Sequence, residues 1–343
     1  MDRPITVAVD ANGADLGPAE VAAGAALAAA QGVHSLIYGP AAEIGEVPEG
    51  VTVVDAPVSI AKAADPAHAV RRTPDASIVQ ATQAVAAGEA DALVAGGSTG
   101  SALAAGLFFL KRGSGIYRPA LALPMPVPGA PVTLLDVGAN VEVRAEHLVQ
   151  FAFMGAAFAR SVMQIERPRV ALLSNGEEPT KGTPLVVETH ALLRERLGDR
   201  AGIMDFVGNI EGTQVTAGAA DVVVTDGFTG NVALKLMEGV SGMILGAIRD
   251  RAESSARAKA GGALLRPALR ELRDEIDPEG PGGAYLLGLR HLAVVPHGRF
   301  TRTGFSRAIE LAARGVREDV VGRTHAALDE AGALRTAPAP AAG

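Results

Sequence analysis

The sequence predicts an α/β protein in which helices cover both faces of a mostly parallel sheet. Five apolar, β-rich segments are each followed by a polar or glycine-rich turn and then by a helical pattern; they begin at Ile5, Asp91, Val132, Val170 and Val222. Strands that alternate with helices are typical of a three-layer α/β/α fold. The composition agrees, because 48% of the residues are hydrophobic but only 3% are aromatic, which favours the aliphatic core of a parallel sheet.

The first two strands end in turns that contain glycine. The strand predicted at Ile5–Val9 is followed by Asp10 and Gly13, and the strand predicted at Asp91–Ala95 runs into Gly96–Gly100. Glycine at such a turn lets the backbone approach a ligand or another loop closely. Both turns are therefore candidate binding elements.

The next three strands follow the same plan. The pairs of strand and turn are Val132–Leu135 with Asp136–Asn140, Val170–Leu173 with Ser174–Lys181, and Val222–Thr225 with Asp226–Asn231. In open α/β sheets, ligands bind at the carboxyl ends of the strands. The sequence therefore predicts a ligand site formed by these polar turns.

The strand pattern gives way to helix over about residues 236–280. Apolar residues between Leu265 and Ile276 share one face of a helix that is expected to begin near Pro267. The predicted organisation is a single α/β catalytic domain over residues 1–333, with residues 236–280 as a helical protrusion. The Ala- and Pro-rich tail, 334–343, is predicted to be disordered.

Composition excludes several classes of protein. The chain has no cysteine, so disulfides, thiol nucleophiles and cysteine-ligated zinc are excluded. Its net charge of −7 argues against a general nucleic-acid-binding protein. No uninterrupted apolar run approaches the ~20 residues that cross a bilayer, and Asp10 interrupts the first run too early for a signal peptide. We therefore expect a soluble, cytoplasmic protein.

The turn Gly96–Gly100 has two interpretations. It matches the G-x-S-x-G pattern of a nucleophile elbow between a strand and a helix, and Ser98, Asp226 and His297 follow the chain order of one type of serine hydrolase triad. Alternatively, it is a glycine-rich turn whose free amides at a helix start bind an anion. The residues alone leave both interpretations open.

Three further residues are candidates for chemistry. Lys181 in a loop could neutralise a phosphate, and His297 follows the apolar strand Leu292–Val295 and titrates near neutrality. Asn231 stands at a helix start, where an N-cap role is equally expected. Neither a P-loop nor a dinucleotide-binding glycine motif is found, so an NTPase and a nicotinamide enzyme are not supported. No residue set demands a metal.

Twelve segments, taken together and in order, carry a resemblance to a known family. They are Val9–Gly13, Ala69–Arg72, Gly96–Gly100, Arg118–Leu121, Leu135–Asn140, Glu146–Phe151, Gly176–Gly182, Phe206–Gly212, Ala220–Asn231, Gly282–Ala284, Leu287–Leu289 and His297–Gly298. Over about residues 5–315 the chain resembles the bacterial acyl-ACP:phosphate acyltransferases. The resemblance implies a fold like that of isocitrate and isopropylmalate dehydrogenases. It also implies transfer of a fatty acyl group from acyl carrier protein to inorganic phosphate, without a cofactor, to form acyl phosphate for phospholipid synthesis.

Some positions depart from the family pattern. Asn12 and Ala14 stand where the family leads us to expect Met and Gly, and Ser98 replaces an expected Asn. Ser174 and Arg299 are further departures. Because the family turn normally carries no serine, the departure at Ser98 weakens the serine hydrolase interpretation.

The resemblance implies a site in which phosphate attacks the acyl thioester directly. Lys181, Asn231 and His297 are the implied catalytic residues. The implied substrate-binding residues are Asp10, Gly13, Gly97, Ser98, Thr99, Gly100, Asp136, Asn140, Asp226, Gly227 and Gly230. Replacing Lys181 by Met should then cost far more turnover than replacing Ser98 by Ala. A thioesterase that uses Ser98, or a non-catalytic acyl-chain binding protein, are the alternatives.

A basic stretch suggests where the carrier protein docks. Residues 249–273 hold seven Lys or Arg against three Asp or Glu, and acyl carrier proteins are acidic. The expected docking residues are Arg249, Arg251, Arg257, Lys259, Arg266, Arg270 and Arg273. The alternative is a solvated, charged helix pair. The resemblance also implies a homodimer with the site near the subunit boundary, and peripheral contact with the inner face of the membrane.

Overall fold

The computed structural model describes residues 3–129, 131–197 and 202–335. The strands are β1 Thr6–Asp10, β2 His34–Gly39, β3 Val51–Asp55, β4 Ala92–Ala95, β5 Ala120–Met125, β6 Val132–Leu135, β7 Arg169–Leu173, β8 Asp205–Ile210, β9 Val222–Val224, β10 Ala284–Leu287 and β11 Leu292–Val295. Within the described residues they form one sheet in the order β3-β2-β1-β4-β11-β10-β5-β6-β9-β7-β8. The predicted strands that begin at Val132 and Leu292 have the predicted bounds.

The helices alternate with these strands. They are α1 Pro18–Ala29, α2 Ala41–Ile44, α3 Pro66–Arg72, α4 Ser77–Ala86, α5 Thr99–Ala105, α6 Ala145–Ser161, α7 Pro184–Leu197, α8 Gly212–Val215, α9 Gly227–Glu253, α10 Ala256–Glu275, α11 Arg302–Arg317 and α12 Val320–Glu330. A π-helical turn, Gly106–Leu110, continues α5.

The sheet contains two blocks of parallel strands that run in opposite directions. The strands β1, β2, β3, β4 and β11 are parallel to one another, and so are β6, β7, β8 and β9. Between the blocks, β10 is antiparallel to β11 and to β5, and β5 is antiparallel to β6. The sheet is mostly parallel, as predicted. The two blocks, however, end at opposite edges, so the polar turns do not form one group.

Helices cover both faces of the sheet, as the three-layer prediction requires. Successive side chains of a strand point to opposite faces. Val7 and Val9 of β1 are fully buried in a core that includes residues of α1, α6 and α11. Ala8, between them, belongs to a second core with residues of α4 and α5. Leu121, Val137, Ala284 and Val295, which line a cavity on this side of the sheet, belong to the same second core.

The helical protrusion consists of α9 and α10. The expected helix start near Pro267 is wrong, because α10 begins at Ala256, where the Ser255 hydroxyl accepts the Ala258 N–H at 3.1 Å. The capping bond at Ser255 provides a better start than proline does. Pro267 lies inside the helix, and no residue of α10 is buried.

Among the described residues, α9 is the one helix that is long and apolar enough to cross a bilayer by length and composition. No part of its most apolar window is buried. Lys235 and Glu238 interrupt it, so a search for uninterrupted apolar runs does not find it. Length and composition alone do not establish a membrane span.

The last described residues pack against the domain beyond its predicted end at residue 333. Leu334 packs against the core, and the Arg335 N–H donates to the Gly115 carbonyl at 2.8 Å. The predicted disordered tail, 334–343, therefore begins too early by these two residues. The remainder of that tail, 336–343, lies outside the described residues.

Candidate active site

A cavity of about 380 Å³ lies on one face of the sheet, beneath α9. Leu121 and Leu123 of β5 point to the same face and form part of its wall. Gly13, Gly97 and His297 line its other end, where β1, β4 and β11 finish. The cavity therefore joins an apolar wall to the turns of the first strand block.

One face of α9 supplies the opposite wall. Asn231, Leu234, Lys235 and Glu238 line the cavity at spacings of three and four residues, which places them on one side of a helix. α9 begins after β9, at the edge where the second block ends. It then extends across the face until Lys235 meets His297 of the first block. This crossing unites residues from both blocks.

Lys235 and His297 form the polar corner of the cavity. The Lys235 Nζ donates to the His297 Nε2 at 2.7 Å and contacts the Glu238 Oε2 at 2.9 Å. Burial, followed by the positive charge of Lys235, lowers the pKa of His297. The imidazole is therefore neutral near pH 7 and can accept from the ammonium. Sequence reasoning missed Lys235, although it follows Asn231 by four residues and so shares its helix face.

The glycine turns approach each other closely. A Cβ added to Gly13 would lie 2.5 Å from the Gly97 Cα, so only glycine permits this packing. Ser98 is the N-cap of α5, and its hydroxyl accepts the Ser101 N–H at 3.4 Å. Thr99 also lines the cavity, so the positive end of α5 lies beside it. Lys62 is a further cation on this wall that the sequence did not indicate.

Asp10 supports the glycine turn from below. The Ser77 hydroxyl donates to the Asp10 Oδ1 at 2.6 Å, and the Asn12 N–H donates to the same oxygen at 3.2 Å. Burial raises the pKa of Asp10 to about 6, against the opposing effect of both hydrogen bonds. A Cβ added to Gly97 would lie 3.7 Å from the Asp10 Oδ2. Asp10 is thus packed under the turn and does not line the cavity.

Asp136 and Asn140 build the turn after β6. The Asp136 carboxylate accepts the backbone N–H groups of Leu121, Gly138, Ala139 and Asn140. The Asn140 amide donates to the Pro119 carbonyl at 2.7 Å and to the Asp136 Oδ2 at 2.8 Å. Their side chains are therefore occupied in holding the turn, and neither lines the cavity.

The start of α9 packs against this turn. Asp226 caps the helix by accepting the Thr229 N–H at 2.8 Å. A Cβ on Gly230 would overlap with the Asp136 carbonyl oxygen. A Cβ on Gly227 would lie 2.7 Å from the backbone carbonyl oxygen of Asn140. Of the predicted residues in this segment, Asn231 alone lines the cavity.

Lys181 lies apart from the other predicted catalytic residues. It is exposed in the loop after β7, in the second strand block, and does not line the cavity of its own chain. The loop is held by the Asn209 amide, which donates to the Glu178 carbonyl at 2.9 Å. The chain thus brings Asn231 and His297 together without Lys181.

The serine triad is not assembled. Ser98 accepts from Ser101, Asp226 accepts from Thr229, and His297 contacts Lys235. Each of the three side chains thus contacts a different partner and not another member of the triad, so the geometry does not favour a serine hydrolase. Within the described residues, no group of three or more His, Asp or Glu side chains is arranged to hold a metal ion.

A basic groove of about 860 Å³ lies between α9 and α10. Five of the seven predicted docking residues line it: Arg249, Lys259, Arg266, Arg270 and Arg273. Arg251 and Arg257 do not. Glu238 and Pro278 line both the groove and the cavity, so the two adjoin.

The chain matches the family described as "Fatty acid synthesis protein" over residues 5–323. The phosphate acyltransferase of Pelotomaculum thermopropionicum is 43% identical over 324 residues, which cover 92% of each chain. A phosphotransacetylase structure from Streptococcus pyogenes aligns with a TM-score of 0.62 at 18% identity, over 91% of this chain and 94% of that one.

A 4-hydroxythreonine-4-phosphate dehydrogenase from Klebsiella pneumoniae aligns with a TM-score of 0.51 at 15% identity. The alignment covers 90% of this chain and 98% of that one. At such identities the two structural likenesses show a shared fold alone. They confirm the dehydrogenase-like α/β fold that the family resemblance implies.

Proposed function

We propose, because this chain belongs to the fatty acid synthesis protein family, that it transfers a fatty acyl group from acyl carrier protein to inorganic phosphate. The observation that carries the proposal is the composition of the cavity. Its polar corner holds Lys62, Lys235 and the start of α5, which suit an anion. Its apolar wall, which includes Leu121 and Leu234, suits an acyl chain.

The reaction requires one bond to form and one to break. An oxygen of phosphate attacks the thioester carbonyl carbon, the C–O bond forms, and the C–S bond then breaks to release the carrier thiolate. The thiolate takes a proton from solvent, and acyl phosphate is left. Phosphate is already an anionic nucleophile, so the site has to position it and stabilise the developing oxyanion. Lys235 and the amides of Gly97–Thr99 are the groups for this role.

Asn231 and His297 position these groups. The Asn231 Nδ2 donates to the Val137 carbonyl at 3.1 Å, which leaves its amide oxygen for substrate. His297 accepts from the Lys235 ammonium and so holds it toward the cavity. A neutral imidazole suits this task, since a protonated ring would repel Lys235.

The basic groove is the proposed docking surface for acyl carrier protein. It adjoins the cavity, so a carrier bound there would present its thioester near the cavity. Within the part of the chain that the structure describes, none of the seven predicted docking residues forms an ion pair with a carboxylate. These charges are therefore available to an acidic partner.

A homodimer would cover apolar side chains that one chain leaves exposed. Leu236 and Met243 of α9 are 65% and 66% exposed. We propose that this helix forms the subunit boundary. Because α9 also lines the cavity, Lys181 of a second copy could then complete the site. In a two-fold dimer each copy would offer its loop to the other.

Peripheral contact with the inner face of the membrane is proposed for the same protrusion. Leu264 and Leu265 are 84% and 60% exposed, beside the basic residues of α10. Exposed leucines with neighbouring cations suit an anionic lipid surface. Replacing both leucines by Ser should release the protein from phosphatidylglycerol vesicles in a sedimentation assay. Unchanged sedimentation would contradict this contact.

The proposed reaction is tested with palmitoyl-acyl carrier protein, with and without inorganic phosphate. Phosphorus NMR and mass spectrometry should show loss of thioester and formation of acyl phosphate only when phosphate is present. Free fatty acid formed without phosphate would overturn the proposal in favour of a thioesterase. An unconsumed thioester under both conditions would also contradict it.

A further inference from the structure

A second pocket, of about 420 Å³, lies at the edge of the sheet away from the glycine turns. Arg118 and Pro119, just before β5, and Asn140, just after β6, line it. The active cavity instead reaches the ends of β1, β4 and β11. The two pockets share no lining residue. We call this second pocket the arginine pocket.

Four arginines from four separate segments meet in the arginine pocket: Arg112, Arg118, Arg144 and Arg335. Among the described residues, none of the four forms an ion pair with a carboxylate. The chain as a whole has a net charge of −7, so this concentration of positive charge is local. Like charges gathered in one concavity repel one another unless an anion is bound between them.

The arrangement is held by buried contacts. Gln150 is 1% exposed; it accepts the Tyr117 N–H at 2.8 Å and donates to the carbonyls of Gly115 at 2.9 Å and Ala333 at 2.7 Å. The Arg335 N–H donates to the same Gly115 carbonyl at 2.8 Å. Gln150 thereby ties the end of the described chain to the loop before β5, which brings Arg335 into the pocket.

Two of the other arginines have a fixed side-chain contact. The Arg112 guanidinium donates to the Tyr117 carbonyl, and the Arg144 guanidinium lies 3.4 Å from the His147 Nε2. His147 lies on the first turn of α6, so the positive end of that helix faces the pocket. Burial, and then the charges of Arg144 and Arg118, lower the pKa of His147.

Part of the wall of the arginine pocket is apolar. Leu103 of α5 and Leu107 of the π-helical turn line it, and Leu107 is 37% exposed. The pocket thus combines guanidinium groups with an aliphatic surface. A small inorganic anion would use the first of these features and leave the second uncovered.

We propose that the arginine pocket binds an amphiphilic phosphate, meaning a phosphate group that carries an alkyl or acyl chain. Guanidinium groups bind phosphate oxygens through paired hydrogen bonds, and four of them would match a dianionic head. The chain would lie against Leu103 and Leu107. This is a binding site separate from the cavity in which we place acyl transfer, and it does not depend on that transfer.

The test is calorimetric titration of the full chain with n-octyl phosphate below its micellar concentration. Octyl phosphate should bind at least about tenfold more tightly than octanol or inorganic phosphate, because only octyl phosphate engages both walls. The double variant Arg118→Gln/Arg144→Gln should weaken binding about tenfold or more. Arg160→Gln is the matched control, since it removes an exposed arginine at the other end of α6. Arg335→Gln provides a second variant at an exposed position.

Two arms identify the source and the place of binding. Sedimentation with vesicles that contain phosphatidic acid shows whether a lipid headgroup reaches the pocket, and octyl phosphate shows whether a soluble phosphate does. The double variant should weaken whichever of the two binds. Binding unchanged by both the double variant and Arg335→Gln would overturn the proposal. So would its loss in Lys235→Met, which would move the site to the active cavity. Inorganic phosphate that binds as tightly as octyl phosphate would overturn the role of the apolar wall.

Discussion

Lys235 and His297 meet at 2.7 Å, and this contact joins a helix that begins after the second strand block to a loop that ends the first. Lys235→Met should therefore lower kcat/KM by about 10²- to 10³-fold, because a cation proposed to stabilise the developing oxyanion is lost. Ser98→Ala should cost less than about tenfold, since the Ser98 hydroxyl only caps α5. Steady-state rates with palmitoyl-acyl carrier protein measure both. Equal, large losses would restore the serine mechanism.

A role for Lys181 across the subunit boundary can be measured with mixed dimers. Lys181→Met and Lys235→Met should each be strongly impaired, and Lys181→Met more so than Ser98→Ala. If Lys181 completes the site of the other copy, an equal mixture refolded together should regain about a quarter of wild-type activity, because half of the dimers hold one intact site. Mixing without subunit exchange is the control. No recovery would contradict a role in trans.

The basic groove predicts a loss that is specific to the carrier protein. Arg266→Glu combined with Arg270→Glu should raise the KM for acyl carrier protein about tenfold at low salt and leave a short carrier-free thioester unaffected. Added salt should shrink the difference by screening the charges. Arg251→Glu combined with Arg257→Glu is the matched control, since neither residue lines the groove. Equal effects of the two pairs would argue for general charge steering.

Asp10 predicts a pH-dependent change in stability. Its pKa is raised by burial from 3.8 to about 6, so the folded chain keeps a proton that the unfolded chain releases between those values. Stability is therefore lost as the pH rises through this window, and the buried carboxylate costs up to about 3 kcal/mol above it.

Asp10→Asn removes this charge and keeps an oxygen that can accept from Ser77. The variant should have a higher Tm than wild type at about pH 7.5 and a similar Tm at about pH 4. Thermal unfolding at both pH values measures the difference. A lower Tm at the higher pH would show that the ionised carboxylate stabilises the turn.

Two glycines of α9 should respond in opposite directions. Gly230→Ala should destabilise the fold by about 3 kcal/mol or more, because the added Cβ overlaps with the Asp136 carbonyl oxygen. Gly239→Ala meets nothing within 4 Å and should stabilise the helix by about 0.5–1 kcal/mol. Urea unfolding of both variants tests this contrast. A loss below about 1 kcal/mol in Gly230→Ala would mean that the start of α9 shifts to accommodate the added Cβ.

Several elements of the candidate site could be predicted because they depend on local chemistry. Gly13, Gly97, Asn231 and His297 stand in turns directly after apolar strands or at helix starts, and all four line the cavity. Lys235 was missed because a lysine inside a helical pattern resembles any solvated residue. Only its helix face, shared with Asn231, carried a signal.

The sequence by itself determined the layers, six of the eleven described strands and the family, since periodicity, turn residues and extended motifs are properties of neighbouring residues. Only the tertiary structure decided the direction of the two strand blocks, because β5 and β10 reverse the sheet through pairings between distant segments. That reversal separates Lys181 from His297. It also requires α9 to cross the sheet before Lys235 can complete the site. The arginine pocket depends on the same kind of contact, in which Gln150 holds residues 115 and 333 together.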